Sequence, residues 1–242
     1  LSNNESTFYN IDQVTVNEVD NNFEFHGPLS FLNNGSFLVS ARQYNSSGWL
    51  FGKNVFDRDD TVPIQQFIQI AQMNMTDQER LAGIEIPDSL MTGDGDFVPL
   101  NNRKTSSYFS KITFYPLKKL KISFSSIYNY NKGKSYSNSR RYSPYGVPTS
   151  YSRDLSQIIS FNHMLSNKIF YTLTYSNYSN ESKRYLFQDE LDNYYQGVPF
   201  SSNGFLFGGT SNSRNKVDNS SSNIKLDLTA QVNQYNQMKI GF

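Results

Sequence analysis

Apolar residues recur at every second position in several stretches of this chain, and short and long polar connections separate those stretches in alternation. The pattern is clearest from Leu120 to Tyr130. Leu120, Ile122, Phe124, Tyr128 and Tyr130 share one parity, and Lys121, Ser123, Ser125 and Asn129 share the other. A period of two marks a strand, because successive side chains point to opposite faces of an extended backbone. Ile224, Leu226, Leu228, Ala230 and Val232 repeat the pattern against Asn223, Lys225, Asp227, Thr229 and Gln231. Looser versions run through Phe23 and Phe25, through Phe37, Val39 and Ala41, and through Tyr108, Ile112 and Phe114. Two more run through Leu155, Ile159 and Phe161, and through Ile169, Tyr171, Leu173 and Tyr175.

Tight turns are predicted near Pro28–Gly35, Tyr115–Leu120, Met164–Lys168 and Asn233–Gln237, and long connections over 45–103, 131–152 and 180–220. Hairpin connectivity then puts every short turn at one end of the strands and every long loop at the other. Transmembrane barrels of outer membranes sort their loops in this way, and a soluble sandwich has no physical reason to. The expected fold is therefore all-β: the wall of an antiparallel transmembrane β-barrel, about eight strands of a partial barrel, with long extracellular loops. One short helix is predicted in the first long connection, from Pro63 to Leu81. Pro63 suits its first turn, and Ile64, Phe67, Ile68, Ala71, Met75 and Leu81 form an apolar stripe that packs over the barrel mouth.

Composition supports this reading. Hydrophobic content is 37% and mean hydropathy is −0.59, values that a disordered chain can share, but 15% aromatic residues argue against disorder. A barrel needs apolar residues only on its lipid face, since its lumen and loops are wet. No apolar run approaches the roughly 18–20 residues of a membrane helix. Tyr115, Tyr128, Tyr130, Tyr171, Tyr175 and Tyr178 gather near strand ends, as an aromatic girdle requires. The chain begins at Leu1 without a signal segment, and its last strand, Gln237–Phe242, is shorter than the roughly 9–11 residues of a membrane strand. Residues 1–242 are thus expected to be one partial barrel domain, a fragment of a longer exported protein.

Little chemistry is expected. There is no cysteine, and the net charge of +1 gives no support to a nucleic-acid partner. His26 and His163 each lack a second ligand at metal-binding spacing. Asp57, Asp59 and Asp60, and again Asp94 and Asp96, form acidic clusters that do not complete a calcium loop. No nucleophile elbow, phosphate loop or zinc motif is found, so no catalytic residue, metal or cofactor is assigned. Lys132, Lys134, Tyr136, Arg140, Arg141, Tyr142, Tyr145 and Arg153 make a basic, aromatic stretch suited to lipopolysaccharide phosphates or to an anionic ligand at a barrel mouth.

Phe25–Leu29, Ser36–Tyr44, Gly48–Gly52 and Thr92–Asn101, followed by the strand at Lys104–Tyr115, resemble the early barrel of TonB-dependent outer-membrane receptors. The similar group is the receptors of Bacteroidetes-like bacteria that carry a carboxypeptidase-regulatory-like domain. The resemblance implies a barrel of about 22 strands, an internal plug, and energy from an inner-membrane TonB complex, which would engage a plug region absent from these residues. It implies uptake of a small solute or glycan across the outer membrane of a Gram-negative bacterium, and no enzyme activity. Iron chelate, cobalamin, glycan and peptide all remain open as ligands. Two rivals stand beside it: a small closed eight-stranded barrel acting as anchor or adhesin, and a secreted carbohydrate-binding β-sandwich.

Overall fold

A computed structural model of the chain describes residues 17–32, 34–76, 85–202 and 204–242. Eight strands form one antiparallel sheet. In chain order they are β1 (Glu18–Leu29), β2 (Gly35–Ser46), β5 (Arg103–Leu117), β6 (Leu120–Gly133), β7 (Thr149–Ser166), β8 (Ile169–Tyr185), β11 (Asn215–Gln231) and β12 (Gln237–Gly241). The four remaining strands are short and lie in the connections: β3 (Phe51–Lys53) pairs with β4 (Phe97–Pro99), and β9 (Phe200–Ser202) with β10 (Phe205–Phe207). Neighbours in the large sheet are neighbours in sequence once these hairpins are set aside, so the sheet is a pure meander. The expected sorting of connections is present. Residues 30–34, 118–119, 167–168 and 232–236 close one end, and residues 47–102, 134–148 and 186–214 join strands at the other.

The ladder register assigns each side chain to a face. Phe37, Ile112, Phe124, Ile159, Tyr175 and Ile224 stand side by side on β2, β5, β6, β7, β8 and β11. Toward the short turns, Phe114, Ile122, Phe161, Leu173 and Leu226 form the next row, and Leu120, His163, Tyr171, Leu228 and Ile240 the one after it. The opposite face carries Arg42, Ser107, Asn129, Asp154, Asn180 and Asn219 in one row. Leu38, Phe109, Ile127 and Ile158 interrupt that polar face.

The apolar band is oblique to the strands. At the level of Phe23, Ala41, Tyr108, Tyr128 and Leu155, the matching residues of β8 and β11 are Ser179 and Ser220. Their first apolar residues on that face, Tyr175 and Ile224, lie four positions nearer the short turns. At ~3.3 Å per residue, the band edge drops by ~13 Å along the strands across the sheet.

The sheet is open: β1 and β12 are its edges and do not pair with one another. Among the described residues the eight strands therefore do not close into a barrel, and no second large sheet faces the first, as a sandwich requires. The predicted helix is α1 (Thr61–Asn74). Pro63 lies in its first turn, Met75 is its C-cap, and Leu81 lies outside the described residues. Tyr178 does not fit the expected girdle. Tyr178 is on the polar face, where its hydroxyl donates to Asp154 Oδ1 at 2.8 Å, because a girdle assigned by proximity to strand ends ignores side-chain parity.

Candidate functional site

Among the described residues, the buried apolar cluster lies in the long connections and not on the sheet. Phe56, Ile64, Ile68 and Phe207 are its centre, and Phe67, Leu90, Met91, Tyr142, Phe200 and Phe205 pack around them. Ile64 and Ile68 are one helical turn apart, so α1 turns a single stripe inward. The Phe56 and Phe207 rings meet edge to face at 4.9 Å. By contrast, the apolar face of the sheet is open: Phe23, Phe25, Val39, Tyr108, Ile112, Phe124, Ile224 and Ile240 are all exposed.

Polar bonds lock the three long connections into one cap. Val55 N and Phe56 N donate to Tyr142 O at 3.1 and 3.0 Å, which ties the first to the second. Arg140 is buried and donates to the carbonyls of Gly208 and Gly209 at 3.0 and 3.1 Å, which ties the second to the third. Burial pushes the Arg140 guanidinium down to about 10. Thr61 Oγ1 donates to Phe207 O at 3.0 Å, and the Arg58 guanidinium rests over the rings of Phe187 and Tyr194 at 5.5 and 5.3 Å. Gly208 and Gly209 both have φ near +60°, and a Cβ on either would strike backbone atoms at 2.7 and 2.5 Å. The turn that receives Arg140 therefore needs glycine.

The acidic residues divide in two. Asp60 is buried and accepts from the backbone N of Asp57 and of Thr92 and from Thr92 Oγ1. It pins residue 92 to the start of α1, a structural task that its spacing to Asp57 hints at. The Tyr145 hydroxyl is pushed up first by burial and then by the charges of Asp94, Asp96 and Asp57. The Asp94 carboxylate is held below its usual range by the Asp96 amide and then by the Asn54 side chain. No group of three acidic or histidine side chains among the described residues is disposed to hold a metal ion. His26 lies on the polar face of edge strand β1, and His163 Nδ1 meets Tyr171 OH at 3.3 Å.

The basic stretch also divides. Arg140 is spent in the cap, and Arg141 stacks on Tyr142 and Phe205 at 4.7 and 4.8 Å. Lys132 and Arg153 stay on strands, on the same face as the apolar band. On the polar face, Asp154 accepts from Tyr178 OH and from Asn180 Nδ2, the latter at 2.7 Å, within a surface dominated by Ser, Thr and Asn. Such a face offers hydrogen bonds to a hydroxylated solute. The chain matches no family model, no curated protein and no solved structure.

Proposed function

We propose that this chain is part of the wall and outer loops of an outer-membrane β-barrel receptor that takes up a solute. Its apolar face meets lipid, its polar face lines the lumen, and the long connections lie outside the cell. One observation carries the reading: a face of apolar and aromatic side chains spread over the whole sheet is uncovered, while the chain's buried apolar core lies elsewhere. A soluble monomer rarely exposes an apolar surface of this extent. In β6 the apolar residues run from Leu120 to Tyr130, roughly 33 Å of strand, and strands inclined by roughly 40° would fit them to the roughly 25 Å lipid-facing band of such barrels. The oblique band edge is what inclined strands present to a flat bilayer.

Open edges agree with a partial wall. The free backbone groups along β1 and β12 cannot face hydrocarbon, so in a membrane they pair with further strands. The receptor assignment, with a TonB-energised plug and a small solute or glycan as ligand, rests on the resemblance at Phe25–Leu29, Ser36–Tyr44 and Thr92–Asn101. The packed cap favours it over a plain anchor, because loops held in one shape suit recognition.

Sidedness gives the test. Gly204 has φ +79° and open space around it, whereas a side chain at Gly133 would meet Asn102 O at 2.6 Å. An epitope inserted at Gly204 should be labelled by antibody on intact cells, and one inserted at Asn167 only after permeabilisation. Reversed labelling would overturn the topology.

A further inference from the structure

Beyond the loop-side edge of the apolar band, five adjacent strands present Lys104, Lys132, Tyr151, Lys183 and Lys216 side by side on the same face as the band. Like charges directly opposite one another destabilise a sheet, and this row contains two such pairs, Lys104 with Lys132 and Lys183 with Lys216. The second pair is relieved within the protein: Lys183 bonds Glu181, and Lys216 bonds Asp218 at 2.8 Å. The first is not. Among the described residues, no carboxylate forms an ion pair with Lys104, Lys132 or Lys134. Lys132 Nζ lies over the Tyr151 ring, at 5.6 Å. Lys132 and Lys134 also share a cleft of about 290 Å³ with Arg103 and Tyr151. Burial, and then the charge of Lys132, pull the Lys134 ammonium below its ordinary range, so a second positive charge nearby is felt there.

These lysines lack an anion, and their position says where it comes from. Lys132 is two residues past Tyr130 on the same face, ~7 Å farther along the strand than the last aromatic residue of the band. A group that reaches this level beside an apolar surface is attached to the apolar phase. Phosphate fits: ammonium groups act on it as point charges.

We propose that Lys104, Lys132 and Lys134 bind the phosphate groups of glycolipid headgroups in the outer leaflet of the membrane. This rests on the lipid-facing assignment of the apolar band made above. Lys183 and Lys216 contribute less, because each already has a carboxylate partner.

The test uses the protein extracted from outer membranes in a neutral maltoside detergent, with lipid A as the probe. Removing the three lysines together (Lys104→Gln, Lys132→Gln, Lys134→Gln) should weaken lipid A binding by about fivefold for each charge lost, about a hundredfold in all. Arginine at the same three positions should restore it. Lys118→Gln with Lys119→Gln, at the short-turn end, should leave it unchanged. Dephosphorylated lipid A should bind no better than phosphatidylcholine, and inorganic phosphate should not displace lipid A. Recovery of the protein outside the outer-membrane fraction would overturn the wall reading and this proposal with it. Recovery in that fraction with undiminished binding by the triple variant, or with equal loss in the control, would overturn this proposal alone. So would failure of arginine to restore binding, and displacement by inorganic phosphate would mark a free-anion site instead.

Discussion

Replacing Leu226 with Arg should lower the stability of the protein in a bilayer by about 2–4 kcal/mol, the range for a cation near the midplane of a lipid-facing strand. Leu226 lies between Leu173 of β8 and Phe242 beyond β12, within the apolar rows. Its neighbour Asp227 points to the other face and pairs with Lys225 at 2.8 Å, with both side chains well exposed. Asp227→Asn removes only that exposed ion pair, which is worth at most about 1 kcal/mol. Reversible unfolding from lipid vesicles measures both. Equal effects at the two adjacent positions would contradict the assignment of faces.

Phe56→Ala should loosen the cap by about 3–5 kcal/mol and leave the sheet intact. Phe56 is only 2% exposed and touches the ring of Phe207 from another connection. Its removal opens a cavity where the first and third long loops meet, and the bonds of Tyr142 O and Arg140 then hold a cap without its centre. Amide exchange should accelerate across 134–148 and 186–214, with β5 to β8 unchanged. Loss of protection in those strands as well would show that cap and sheet fold as one unit, against a buried core that belongs to the connections alone.

Strands with one apolar face were legible in the sequence because burial or lipid contact imposes a period of two. The first half of β11 was not. Residues 215–222 are polar on both faces apart from Val217, and they are strand because β8 offers a ladder partner at every position. Backbone pairing leaves no mark in the side chains there. Turn positions were legible for the complementary reason, that short polar breaks interrupt a regular alternation. The cap was legible only as a helix. Its closure depends on Arg140 reaching Gly208 and Gly209, 68 and 69 residues away, and no local pattern encodes that distance. The basic stretch read as one patch because its residues are close in sequence. In space Arg140 and Arg141 are spent inside the cap, while Lys132 stands opposite Lys104 of another strand, a pairing set by register alone.

The most direct test of the central claim, that one face of this sheet meets lipid, uses the absence of cysteine from the chain. Single cysteines placed in turn at Asn223, Ile224, Lys225, Leu226, Asp227 and Leu228 can each carry a spin label in the membrane-embedded protein. Collision with oxygen, which concentrates in lipid, should be high at Ile224, Leu226 and Leu228, and collision with a water-soluble nickel chelate should be high at Asn223, Lys225 and Asp227. The two profiles should alternate with a period of two and in opposite phase. Equal access of the nickel chelate to both sets of positions would contradict the account.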